Sequence, residues 1–204
     1  MKITGQLALA LISAAATLAG AQERFDAEAA RLNNRGVAEM GQQFTDRAVA
    51  SFAEAIKKDP KLAQAAINQG IALLTLQKLD EAKNSLQHAI ALDPNYPQAW
   101  YNLGLAQHAG NELEPALASF QRAIKLDPRD ADSFYYEGVC YQDLKEFDKA
   151  IDLFEKALAI DPLHASSEFA LARALQRTGR REESAEHFKR ATSVQSVATT
   201  DRAP

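Results

Sequence analysis

The chain has 204 residues, 47% hydrophobic and 25% charged, which suits one domain or a short repeat array with enough apolar residues for a core. Its 23 basic and 27 acidic residues give a net charge of −4, which argues against nucleic acid, a ligand that wants a basic face. One cysteine excludes an intramolecular disulfide framework and any all-cysteine metal site.

Residues 1–21 read MKITGQLALALISAAATLAGA. Lys2 is followed by the apolar run Leu7 to Ile12, an Ala-rich stretch and the small-x-small ending Ala19-Gly20-Ala21. This resembles a secretory signal peptide, with Gln22 as the expected first residue of the mature chain. The rival is an uncleaved membrane anchor, since Ile3 to Ala21 approaches the ~20 residues that span a bilayer. The strongly apolar part is short, and cleavage is the preferred reading. The expected location is therefore the bacterial periplasm or the exterior, with no membrane insertion after cleavage. Ala21 stands where a lipoprotein would carry its lipidated Cys, so lipidation there is excluded.

From there a 34-residue period organises the chain. Asp-Pro occurs at 59–60, 93–94, 127–128 and 161–162, and Gly at 36, 70, 104 and 138. Ala recurs at 48, 82, 116 and 150, and again at 55, 89, 123 and 157. Phe52, Leu86, Phe120 and Phe154 stand between these two Ala rows. Several columns in phase make an internal repeat. Each unit reads as two helices. In the third unit the first runs over Ala99 to Ala109 and the second over Glu114 to Leu126, with Pro115 in its first turn. Ala116, Leu117, Phe120, Ala123 and Ile124 form one apolar stripe on the second helix. Asp127-Pro128 ends it, because Pro disfavours helical geometry at the residue before it and supplies no N–H. The Gly and Ala columns let two helices approach closely, and the Phe/Leu column fills the gap beside them.

These columns resemble the tetratricopeptide repeat. The third unit gives Trp100, Leu103, Gly104, Ala116, Phe120, Ala123 and Pro128 at the pattern's positions, and the fourth gives Phe134, Gly138, Tyr141, Ala150, Phe154, Ala157 and Pro162. Units one and two lose the first aromatic to Leu32 and Ala66, and a fifth has Ala172 and Ser184 for the usual Gly and Ala. The resemblance implies an all-α fold, a right-handed α-solenoid of about five helix-turn-helix repeats at about 29–62, 63–96, 97–130, 131–164 and 165–192. Such repeats rely on neighbours for their core. Arg35 and Glu39 in the first unit, and Ser184 and Thr192 in the fifth, read as polar ends facing water. Residues 193–204, rich in Ser, Thr and Ala, read as a disordered tail.

The conspicuous single residues have structural readings. Trp100 falls in the family's interior aromatic column and is expected in the core. Cys140 lies in a column of small residues with Ala38, Ala72 and Ala106, so it is expected to be a buried helix contact. The four His occupy unrelated repeat positions, with no pairing that suggests a metal. No phosphate loop, Ser elbow or Cys/His pair suggests catalysis. Neither a cofactor nor an enzymatic activity is expected. Asp148, Lys149, Asp152, Glu155 and Lys156 alternate in sign and read as a solvated outer face.

By resemblance, fixed positions of each first helix line a concave groove. They place Val37 and Met40 there from unit one, Ile67, Ile71 and Leu74 from unit two, and Tyr101, Leu105 and His108 from unit three. Tyr135 and Val139 from unit four, with Phe169 and Arg173 from unit five, complete the partner-binding set. Interior packing is not expected to require these apolar side chains, and an exposed apolar strip usually marks a partner site. Asn33 and Val37 stand where relatives that grip acidic chaperone tails carry Lys and Asn, so that clamp is absent. The expected function is noncovalent binding of a protein partner, as a peptide or helix laid in the groove of units two to four, in a scaffold or assembly factor of the cell envelope. The alternatives are a self-associating structural protein forming homo-oligomers and an accessory subunit binding a small ligand.

Overall fold

Helices alternate with short turns in step with the 34-residue period. The computed structural model describes residues 27–200, with side chains as far as residue 193. The expected leader over residues 1–21 lies outside the described residues. Helix α1 covers residues 27–41. The others are α2 (Thr45–Lys58), α3 (Ala63–Thr75), α4 (Leu79–Leu92), α5 (Pro97–Ala109), α6 (Leu113–Leu126), α7 (Ala131–Asp143), α8 (Phe147–Ile160), α9 (Ala165–Arg177) and α10 (Arg181–Thr200). Among the described residues there is no strand. The odd-numbered helices are the first helices of each repeat.

Contacts group the chain into two bodies divided between Asp93 and Pro94. In the N-terminal body α3 packs on both α2 and α4. In the C-terminal body each helix from α5 to α10 packs on the next, and the first helices α5, α7 and α9 also touch in turn.

The glycine column explains the close approach inside each pair. A Cβ added at Gly36, Gly70, Gly104 or Gly138 would stand 2.5, 2.5, 2.7 or 2.6 Å from Phe52, Leu86, Phe120 or Phe154, respectively. Real Cβ atoms do not come that close, so the residue sixteen places on can lie flat over its glycine only because the side chain is missing. Phe52, Leu86, Phe120 and Phe154 are all fully buried, together with both Ala columns. In the fifth repeat Ala172 occupies the glycine place. Phe188, the matching aromatic, stays partly exposed and meets Phe169 edge-on at 5.4 Å.

A polar column runs through the same interfaces. Ser51 donates to Glu39 at 2.5 Å and accepts from Arg35 at 2.9 Å. Ser85 donates to Gln69 at 2.9 Å, Ser119 to Gln107 at 2.6 Å, and His187 meets the buried carboxylate of Glu168 at 2.5 Å. Each pair satisfies polar atoms that burial would otherwise leave unpaired. In the first repeat Arg35 also reaches Glu54 at 3.0 Å, which keeps that end polar as expected. Ser184 departs from the expectation: it is buried, and its hydroxyl donates to the carbonyl of Ala172 at 2.8 Å instead of facing water.

Both kinds of turn repeat as well. Between repeats, the carboxylates of Asp59, Asp127 and Asp161 accept the N–H two residues on, at 2.9, 3.1 and 3.0 Å. Aspartate therefore closes the turn that the following proline opens. Inside each repeat, Gln43, Gln77, Asn111, Lys145 and Gly179 take positive φ, from 58° to 85°. The flanking bonds, such as Lys145 N–H to Gln142 O and Glu146 N–H to Tyr141 O, make the left-handed helix ending in which glycine is favoured. A side chain there costs about 1–2 kcal/mol. Lys145→Gly should accordingly raise stability by about 1 kcal/mol, and Gly179→Ala should lower it; urea denaturation with unchanged m-value would register both.

Two further expectations need correction. Trp100 is only partly buried, at the margin of α5, with its indole N–H donating to Pro94 O at 2.9 Å. It is not a core aromatic. The segment expected to be a disordered tail is helical from 193 to 200, as the continuation of α10. Extending a helix requires no new nucleus. Residues 201–204 lie outside the described residues.

Candidate binding face

The first-helix positions divide between packing and exposure. In the N-terminal body Ile67 is fully buried (0% exposed), so it serves the core and leaves the partner set. Met40 is half-buried against the cluster of Ala48, Phe52 and Ala72, and Ile71 and Leu74 are half-buried. Val37 stands 51% exposed. Asn68 donates to Asn33 at 2.9 Å and accepts from Gln64 at 2.9 Å, so an amide ladder lies beside these apolar side chains.

In the C-terminal body Tyr101 and Leu105 pack against Ala116, Phe120 and Cys140, and Tyr135 and Val139 against the cluster holding Phe154 and Leu171. The rings form a chain of edge-on and tilted contacts. Tyr101 meets Phe120 at 6.1 Å and Tyr136 at 5.8 Å, while Tyr135 meets Tyr136 at 4.9 Å and Phe154 at 5.9 Å. Burial, then the nearby Asp132 carboxylate, pushes the Tyr101 hydroxyl well above the usual phenol range. The expectation that packing does not require these tyrosines is therefore corrected: each is shared between the core and the surface. Tyr136, one residue off the expected strip, joins the two clusters.

Histidines tie successive first helices together. His108 on α5 meets Asp143 at the end of α7 at 2.8 Å. His164 sits just before α9, and its Nδ1 accepts the N–H of Ser167 at 3.2 Å. That assigns the ring proton to Nε2, which donates to Asp132 at 3.1 Å. Neither role was legible in the sequence, because the partners lie 35 and 32 residues away along the chain. Among the described residues no group of three or more His, Cys, Asp or Glu is placed to hold a metal. Cys140 is fully buried, and burial pushes its thiol up to about 12. Thiolate is the reactive form, so iodoacetamide at pH 8 should label Cys140 slowly in the native chain and at once in 6 M guanidinium, as intact mass would show.

Phe169 and Arg173 remain on the surface. Phe169 is 50% exposed, and with Phe188, Tyr135, Ala165 and Ala191 it lines an apolar cleft of about 330 Å³. Phe188 was the contributor sequence reasoning missed, although Ala172 in the glycine column was the available signal. Arg173 lies one turn further along α9 and is exposed.

The repeat geometry agrees with the comparisons to known proteins. Models of the tetratricopeptide repeat match residues 33–83, 67–127 and 131–163. The chain belongs to the tetratricopeptide repeat family. No curated protein matches it closely enough to count as a relative. Similar solved structures include a crystal structure of MamA, 27% identical with a TM-score of 0.73, covering 81% of this chain and 96% of that one. MamA from Desulfovibrio magneticus RS-1 is 21% identical, TM-score 0.75, over 83% and 96%. YrrB, described as a TPR protein with an unusual peptide-binding site, is 22% identical, TM-score 0.68, over 87% and 91%. The tetratricopeptide assignment fixes the architecture as an all-α array of stacked helix pairs. The last two likenesses carry the fold alone.

Proposed function

We propose that the chain is a non-enzymatic binding protein of the bacterial envelope, and that a partner peptide or helix seats on the first-helix face of its C-terminal body. The observation that carries this is Phe169, a large aromatic left half-exposed beside Phe188 and Tyr135 over an open apolar cleft. Repeat arrays bury their apolar faces between neighbours, so an aromatic left outside that packing has a use outside it. YrrB, similar in fold, is described as binding peptide. The envelope assignment rests on the leader pattern of residues 1–21.

The test immobilises the mature chain, incubates it with an envelope extract of the producing cells and reads the bound proteins by mass spectrometry. A Phe169→Glu variant of unchanged circular dichroism should lose a defined set of them. Identical capture by both would contradict the face, and an intact mass that retains residues 1–21 would contradict export with cleavage.

A further inference from the structure

The cleft of Phe169 and Phe188 has a neighbour of opposite character. A cavity of about 370 Å³ opens beside it on the same α9 face, lined by Arg173, Arg177, Lys145, Gln142 and Asp143 among others. It holds three cations and one carboxylate, and that carboxylate, Asp143, already meets His108 at 2.8 Å. Arg177 lies over the ring of Phe147 at 5.3 Å, a contact that orients the guanidinium without neutralising it. Arg173 and Lys145 make no ion pair among the described residues. The excess is local, since the chain as a whole carries net charge −4.

We infer that the ligand of this face is an acidic peptide, in which a carboxylate side chain enters the Arg173–Arg177 cavity while an aromatic or bulky aliphatic neighbour enters the Phe169–Phe188 cleft. This deepens the proposed binding role and rests on it. Two parallel N–H donors of a guanidinium match a carboxylate, which favours Asp or Glu over a merely polar side chain. Spacing follows from the helix. Phe169 and Arg173 are four residues apart on α9, a rise of about 6 Å. An extended peptide spans that distance in about two residues at ~3.3 Å each, and a helical one in about four. The recognised pattern is therefore an apolar anchor with an acidic residue two to four positions away.

A phage-displayed random dodecapeptide library, selected on the immobilised chain, tests this. Enrichment of an aromatic or aliphatic residue with Asp or Glu two to four positions away is the expected result. A synthetic copy of the leading peptide should bind the doubly substituted Arg173→Glu, Arg177→Glu variant at least about tenfold more weakly, as the loss of two partly exposed ion pairs implies. Selection repeated on that variant should return Lys or Arg in place of the acid and keep the apolar anchor. Enriched peptides with no acidic preference, or with equal affinity for the variant, would overturn the acidic-peptide inference and leave the binding face standing. Binding that is indifferent to Phe169→Ala, or no enrichment at all, would overturn the face itself.

Discussion

Phe120→Ala should cost about 3–5 kcal/mol, the range for emptying a buried aromatic site. Its ring is fully enclosed, packs with Ala116 and Cys140, and stacks on Tyr136 at 5.8 Å. Neither neighbour can close the space: Cys140 is itself fully buried and Gly104 opposite carries no side chain. Tyr101→Ala should fall between core and surface, since its partly buried ring meets Phe120 and Tyr136 edge-on. Phe169→Ala should cost less, about 1–2 kcal/mol, from its half-buried area and its edge contact with Phe188. Urea denaturation of the three variants would give that order. A Tyr101→Ala loss equal to that of Phe120→Ala would make Tyr101 wholly a core residue.

Gly104→Ala should also destabilise, against the usual rule that alanine improves a helix by about 1 kcal/mol. The new methyl would stand 2.7 Å from the Phe120 ring, which is buried and has no free direction to move. Overpacking of this kind costs about 1–3 kcal/mol. The sign should reverse once the ring is gone: in a Phe120→Ala background, Gly104→Ala should stabilise. A double-mutant cycle would read the coupling directly. The fifth repeat already displays the consequence, for Ala172 stands in the glycine place and Phe188 lies partly exposed against Phe169.

Periodic features were legible because the same residue type recurs at the same phase. Gly104 with Phe120 and the two Ala columns announced the helix pairs and their contact. The left-handed turn position was not legible, because Gln43, Gln77, Asn111, Lys145 and Gly179 share a backbone shape but no single side-chain type. The Ser51, Ser85, Ser119 and His187 handles were missed for a related reason: their partners do not keep one phase, those of the serines shifting by four residues from Glu39 to Gln69 and back to Gln107. The first-helix strip was only partly readable. Its periodicity placed Ile67 and Phe169 alike, yet one is enclosed by packing and the other is not. Exposure depends on what the neighbouring repeat supplies, which a column of sequence does not state.

The claim that the glycine–aromatic column holds the fold while the α9 face is free for a ligand meets its most direct test in Phe169→Ala. One preparation would be split between urea denaturation and a fluorescence-anisotropy titration with the peptide selected on the native chain. The expected outcome is a denaturation midpoint close to that of the parent, far above that of Phe120→Ala, with affinity weakened about thirtyfold, as for an interface anchor worth ~2 kcal/mol. A midpoint as low as that of Phe120→Ala with unchanged affinity would contradict the account.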